Sequence, residues 1–443
     1  MKIQLSDHFS YGRLLRFTLP SIVMMLFTSV YGVVDGIFVS NYAGKTAFSA
    51  LNLIMPYVMV FGCLGFMIGT GGTALISKTL GMGKKEEANR IFSMLTWICI
   101  GGGVMLTGLS LIFLRPAAIL FGAEGQMLSD CVTYGAIVLC ASTAYILQFA
   151  YQSFCVTAEK PKLALWMTVA SGVCNILLDW LFVGVFGWGL VGAAVATAVS
   201  QVLGAVIPIV YFLWPNSSLL RLGKAGYDGK AFLRTCTNGS SELMSNLSMS
   251  LVNMLYNLQL MRYAREDGIA AYGVIMYVNL FFLSVFIGFS IGSAPLIGFN
   301  HGADNRRELK NIFKKSMWIL GISSLLMTLS AVALALPLSQ IFVGYDKALL
   351  EMTRRGFILY ALSFLFCGIN IFGSAMFTAL NNGLISAVIS FVRSLVCQIS
   401  AVLILPIFWG LDGIWLSIVA AELVALLLTL VFFIKYRKRY HYL

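Results

Sequence analysis

Apolar runs long enough to cross a bilayer follow one another along almost the whole chain, separated by short polar or glycine-containing breaks. They fall at roughly 14–40, 47–77, 91–114, 129–155, 163–186 and 190–214, then at 235–261, 269–299, 316–338, 353–379, 384–408 and 411–434. A spanning α-helix needs about 20 apolar residues, so the pattern predicts twelve transmembrane helices in an all-α polytopic membrane protein. The polar stretch 215–230 is long enough to link two lobes. Residues 1–214 are predicted to form the first lobe and residues 231–443 the second, with six helices in each. Short turns at 187–189 and 410–413 should hold consecutive helices as antiparallel hairpins.

The two lobes repeat each other at one offset. Ala74-Leu-Ile-Ser-Lys-Thr-Leu-Gly81, followed by Lys84, Lys85, Glu87, Ile91 and Phe92, matches Pro295-Leu-Ile-Gly-Phe-Asn-His-Gly302, followed by Asn305, Arg306, Glu308, Ile312 and Phe313. Each pair is 221 residues apart, and so are Trp188-Gly-Leu-Val-Gly192 and Trp409-Gly-Leu-Asp-Gly413. Six helices return the chain to its starting side. The halves are therefore expected to be parallel repeats, two pseudo-symmetric six-helix bundles related by an axis along the membrane normal.

Composition agrees with a membrane protein: 59% of the residues are apolar, 11% are charged, and the mean hydropathy is +0.88. The net charge of +12 orients the chain. Alternate connections collect 22 Lys and Arg on the side of both termini against seven on the other, with Arg393 alone inside a span. The positive-inside rule then puts both termini in the cytoplasm of a multi-pass protein of the cell (inner or plasma) membrane, and no nucleic-acid partner is implied. The first apolar run is too long for a cleavable signal peptide and lacks a small-residue cleavage site. The nine cysteines stand singly without Cys-x-x-Cys, so neither a zinc site nor a disulfide framework is indicated. His8, His301 and His441 lie near loops or ends with no His-Glu-x-x-His, which argues against a membrane enzyme.

Ionisable groups inside spans are the candidates for chemistry, since each costs about 2.5 to 3.5 kcal/mol at mid-bilayer on insertion scales. Four are assigned: Asp35, Asp179, Glu242 and Arg393. Asp179 is nine residues before Trp188 and Thr197 nine after, so both lie about 13 Å below that turn at 1.5 Å per residue. Asp35, eight residues before Ala43, comes to about 12 Å by the same rise. Asn175 shares the Asp179 face one turn deeper. Asp35, Asn175, Asp179 and Thr197 together suit an oxygen cage for Na⁺, or a carboxylate pair that shares a proton. Glu242 and Arg393 both come out near 15 Å from the cytoplasmic side, measured as about ten residues of helix. Either they pair across helices seven and eleven, or Glu242 faces a central cavity and binds cationic substrate.

These residues resemble the MATE family of multidrug and toxic compound extrusion transporters over essentially the whole chain. The features that carry the likeness are a long first helix with Pro20 fifteen residues before Asp35, Asn175-x-x-x-Asp179, and the duplicated loops Gly81-Met-Gly-Lys-Lys and Gly302-Ala-Asp-Asn. The resemblance implies two six-helix lobes around a V-shaped cavity and export of organic cations driven by entry of Na⁺ or H⁺, with no other cofactor. It makes Asp35, Asn175, Asp179 and Thr197 the coupling-ion site and Pro20 the point where helix one bends. Substrates would be small cationic or amphipathic molecules reaching a monomer in membrane lipid, with Tyr31, Glu242, Asn253, Tyr256, Asn257 and Met276 as cavity candidates. Some MATE branches carry acidic residues in helices seven and ten. Here helix ten, 357–380, has no carboxylate, which counts against a second-lobe coupling site. A lipid-linked oligosaccharide flippase of the same superfamily is the alternative, though it should line its cavity with several cationic residues. Another multidrug secondary transporter is less favoured, because the loop after helix two does not match the basic motif of major facilitators.

Overall fold

The computed structural model describes residues 3–39, 42 and 45–443; Lys2, one of the 22 basic residues on the side of the termini, and Ala43, the reference for the depth of Asp35, lie outside the described residues. The first half contains α1 (Tyr11–Phe38), α2 (Lys45–Gly81), α3 (Lys85–Leu120), α4 (Gly125–Cys140), α5 (Ser142–Thr157), α6 (Pro161–Asp179) and α7 (Gly189–Leu213). The second half contains α8 (Gly229–Gly302), α9 (Arg306–Val343), α10 (Lys347–Ala361), α11 (Phe364–Ala379), α12 (Gly383–Phe391) and α13 (Gln398–Tyr440). Wider π-type turns at Trp180–Val185 and Val392–Cys397 prolong α6 and join α12 to α13. No strand occurs among the described residues. That is the expected outcome for backbone in hydrocarbon, where every amide must be satisfied within its own segment.

Helix α8 has 74 residues, which at 1.5 Å per residue would make a rod of about 110 Å, far beyond a bilayer core of about 30 Å. It breaks at Arg265 (φ 54°, ψ −142°) and doubles back. Across the bend, Tyr256 stacks on Tyr272 with ring centroids 5.2 Å apart, and the Tyr272 hydroxyl donates to Asn253 at 2.8 Å. Helix α13 folds back in the same way at Gly410 (φ 55°, ψ −131°). Eight helices are individually long and apolar enough to cross a membrane. The pairs α4/α5 and α10/α11, bent by 55° and 47°, give two more crossings, and α8 and the α12–α13 unit each cross twice, making twelve among the described residues.

The 221-residue repeat is visible in the backbone. Left-handed conformations occur at Gly83 and Asp304, and again at Gly189 and Gly410, each pair 221 residues apart. The halves meet along α1, α2 and α8. There, a Cβ on Gly71 would overlap the Thr235 carbonyl and one on Gly239 the Met67 carbonyl. The repeat-related sites behave alike: Gly292 lies against Thr18 and Gly288 against Ile22. At the end of the seam, Gly81 abuts the Phe299 carbonyl and Gly302 the Lys78 carbonyl, a contact that maps onto itself under the repeat.

Both chain ends lie at this closed end. Leu5 and Phe9 are fully buried. Glu308, in the first turn of α9, accepts from the Phe9 amide at 2.9 Å and the Asn311 side chain at 2.7 Å, and sits 2.7 Å from His8 Nδ1. Tyr442 packs on Phe313 with centroids 5.0 Å apart. Cross-seam hydrogen bonds among the described residues extend only as far as Ser29 with Ser284, so the helix halves beyond that level are not tied together by them. Removing the Glu308 acceptor leaves buried donors unpaired, at about 1 to 3 kcal/mol for each such group. Glu308→Ala is therefore expected to lower the melting temperature of the purified protein, whereas a surface change at Glu86 is not.

Candidate functional site

Asp35 lies in α1, which runs unbroken through Pro20. Proline has no amide hydrogen, so the carbonyl of Arg16 lacks its usual intrahelical donor and the helix is weakest at that turn. Asp179 ends the regular part of α6, immediately before the π-type turn. Asp35, Asp179 and Asn175 are 7%, 0% and 2% exposed. The Asp35 and Asp179 carboxyl groups are close enough to interact directly. Asp35 Oδ1, both Asp179 oxygens, Asn175 Nδ2 and Thr197 Oγ1 are buried without a hydrogen-bond partner. Most buried polar atoms in folded proteins are paired, so this cluster is built to be completed by something else. Two adjacent carboxylates in a dry site repel unless a proton or a metal cation lies between them.

Tyr134 of α4 completes the group. It is fully buried, and its hydroxyl lies beside Thr197 and within electrostatic reach of Asp35 and Asp179, without a hydrogen bond of good geometry among the described residues. One turn before Asp35, Tyr31 packs with Phe27 over Gly172, where an added Cβ would come within 3.0 Å of the Tyr31 ring. Tyr145 lies within electrostatic reach of Tyr31, and its ring packs on α2 at Gly62, where an added Cβ would come within 2.8 Å of it.

The second half is built differently. Glu242, Asn246, Asn253 and Asn257 fall within about 60° on one face of the first crossing of α8, at 3.6 residues per turn. Asn257 is exposed, Asn253 accepts from Tyr272, and Met276 is partly buried against the core. Tyr256, expected to line a cavity, is instead 2% exposed beneath Tyr272, because the fold-back at Arg265 stacks the two rings. Arg393 does not pair with Glu242. Its Nε lies 2.8 and 3.0 Å from the two carboxylate oxygens of Glu422, with a terminal nitrogen also 2.8 Å from one of them. The hairpin at Gly410 lays the helix carrying Glu422 beside the one carrying Arg393, so the counter-ion comes from the adjoining helix. Asn370 donates to Glu422 at 2.7 Å, and Thr429 to Asn370 at 3.1 Å.

The MatE family model matches the chain twice, over residues 20–181 and 243–404. This chain belongs to the MatE family. The two matched segments are equal in length and fall one in each half, as the duplication requires. The multidrug export protein MepA of Staphylococcus aureus (strain MRSA252) is 25% identical over 427 residues, covering 96% of this chain and 94% of the relative. Among solved structures, a MATE in complex with MaL6 superposes with a TM-score of 0.92 at 21% identity, over 98% of this chain and 97% of that one. An outward-facing conformation of a multidrug resistance MATE family transporter of the MOP superfamily gives 0.91 at 21% identity, over 98% and 96%. At that identity the likeness establishes the fold.

Two residues of this MatE protein escaped the sequence reading. Tyr134 is nine residues into α4 from Gly125, which is about 13 Å at 1.5 Å per residue, the same depth that singled out Asp179. Glu422 is a further intramembrane charge, well inside the run 411–434.

Proposed function

We propose that this MatE protein exports lipophilic organic cations across the cell membrane by alternating access, in exchange for Na⁺ or H⁺. The reading rests chiefly on the group of buried, unpartnered polar atoms that Asp35, Asn175, Asp179 and Thr197 present beside Tyr134. The multidrug export named for the MepA relatives supports the substrate class. Residues 1–214 and 231–443 are the two moving lobes, joined by 215–230. The excess of basic residues assigns the side of the chain ends to the cytoplasm. The seam closed there by glycine contacts then corresponds to a state open to the outside.

An ion bound between Asp35 and Asp179 neutralises buried charge and favours one lobe arrangement; substrate favours the other. The difference between those preferences is the coupling free energy. Pro20 supplies the weak point at which α1 bends as the site fills. In the second lobe, Glu242 carries no hydrogen bond or ion pair on its side chain among the described residues and is the carboxylate offered to a cationic substrate. Engagement of Arg393 by Glu422 argues against a pyrophosphate-linked flippase substrate, which would need free cationic groups.

Proteoliposomes loaded with ethidium, with sodium and pH gradients imposed separately, test this reading. One gradient is expected to accelerate efflux severalfold over the gradient-free control. Efflux indifferent to both, or translocation of a lipid-linked sugar without cation movement, would exclude it.

A further inference from the structure

Arg393 is the single Lys or Arg that the sequence places inside a span, and two helices, α11 and the part of α13 after Gly410, cooperate to hold it. Its guanidinium makes three contacts of 2.8 to 3.0 Å with the Glu422 carboxylate, at side-chain exposures of 15% and 2%. Glu422 is itself fixed, because the Asn370 amide donates both to its carboxylate at 2.7 Å and to its backbone carbonyl at 2.9 Å. Thr429 in turn orients Asn370 at 3.1 Å.

The π-type turn that carries Arg393 packs against α8, and Arg393 and Glu242 lie within electrostatic reach of each other across that contact. Glu242 lies one turn beyond Gly239, where an added Cβ would overlap the Met67 carbonyl of α2, which places it at the seam between the lobes. A long, flexible guanidinium so near a free carboxylate in a low-dielectric interior is a tethered competitor, present at high effective concentration for any external cation. Repeat symmetry emphasises the contrast. The first-lobe equivalent of Arg393 is Gly172, over which Phe27 and Tyr31 pack, so the first lobe has no such competitor.

We propose that Glu422 is a positioning residue for substrate selectivity: it retains Arg393 and thereby keeps Glu242 open to a monovalent lipophilic cation. The proposal rests on Glu242 as the substrate-facing carboxylate. Freed from Glu422, Arg393 would turn to Glu242 and close the site. The second lobe is thus a charge triad in which one acid neutralises the resident base so that the other acid can serve the passenger.

The test measures binding of tetraphenylphosphonium to the purified full chain. Glu422→Gln is expected to weaken binding about tenfold or more, as an internal ion pair replaces the external one. Adding Arg393→Gln to it should return the affinity to within about threefold of wild type, and Arg393→Gln alone should bind no more weakly than wild type. A purely structural role for the pair predicts the reverse asymmetry, with the Arg393→Gln change damaging and no rescue in the double variant. If Glu422→Gln does not purify, Glu422→Asp takes its place, with an intermediate loss reversed by the same Arg393 change. Wild-type affinity in Glu422→Gln, or a double variant as weak as the single, overturns the proposal. Wild-type affinity in Glu242→Gln instead overturns the assignment of Glu242, independently of Glu422.

Discussion

Asp179→Asn and Asp35→Asn are each expected to lower gradient-driven efflux by about 10- to 100-fold, the span of a typical coupling free energy, while leaving the protein folded. The substitution is nearly isosteric and removes a charge that the structure leaves uncompensated, since both Asp179 oxygens and Asp35 Oδ1 have no donor. Neutral side chains at a dry site cost less than ionised ones, so thermal stability should be kept or raised. On the proposed mechanism, what is lost is the ability to hold Na⁺ or H⁺ between the two groups, and with it the dependence of lobe arrangement on the ion. Thr197→Ala and Tyr134→Phe remove supporting oxygens only and should give smaller losses in the same direction. Initial efflux rates under an imposed gradient, normalised to protein in the membrane, read all four. Efflux at the wild-type rate in both aspartate variants would remove the pair from the coupling mechanism.

The second large effect is expected at the seam. Gly71→Val and Gly302→Val place a branched side chain where even a Cβ overlaps a backbone carbonyl of the other half, that of Thr235 or of Lys78. Backbone cannot yield as a side-chain tip can, so each change opposes the closed seam by about 1 to 3 kcal/mol or more. Under the proposed alternating access, in which this seam closes and opens once per cycle, each variant then spends most of its time outside one of the two states. Efflux is expected to fall by about tenfold or more, from roughly 1.4 kcal/mol per decade of population, with a lower melting temperature. Gly101→Val on α3 is the control, since nothing lies within 4 Å of its added Cβ. Equal loss in the control, or none at the seam, would show that the glycine approaches carry no functional load.

How much of this was legible beforehand depends on the kind of signal. The twelve crossings were readable because a bilayer fixes both the length and the apolarity of every span, and because polar breaks fall between them. Arg265 illustrates the limit: an apolar pattern marks where a crossing stops, but the near-continuous helical bonding through the bend appears only in the fold. The repeat offset read from Gly81 and Gly302 reappears as a reciprocal backbone contact, since a residue type chosen for close approach is needed at both ends of a symmetric seam. Helical rise alone suggests a common level for Asp35, Asp179 and Thr197, whose polar atoms the structure buries without partners. Lateral neighbours do not follow from helical rise. Arg393 met Glu422 rather than Glu242 because pairing depends on which helices are adjacent around the bundle, and depth carries no such information. Tyr134 lies at the same level, but nothing in the order of residues says that α4 packs against α7, the helix that carries Thr197.

The most direct test of the central claim, that Asp35 and Asp179 link ion and substrate, is an equilibrium one. The dissociation constant of tetraphenylphosphonium is measured on purified protein across a sodium series and across a pH series, for wild type and for the Asp35→Asn, Asp179→Asn double variant. Linkage requires the wild-type constant to shift with one of the two ions by about 5- to 150-fold, and the double variant to bind substrate with a constant that stays flat in both series. A double variant whose constant shifts as far as that of the wild type would place the coupling ion elsewhere in the protein.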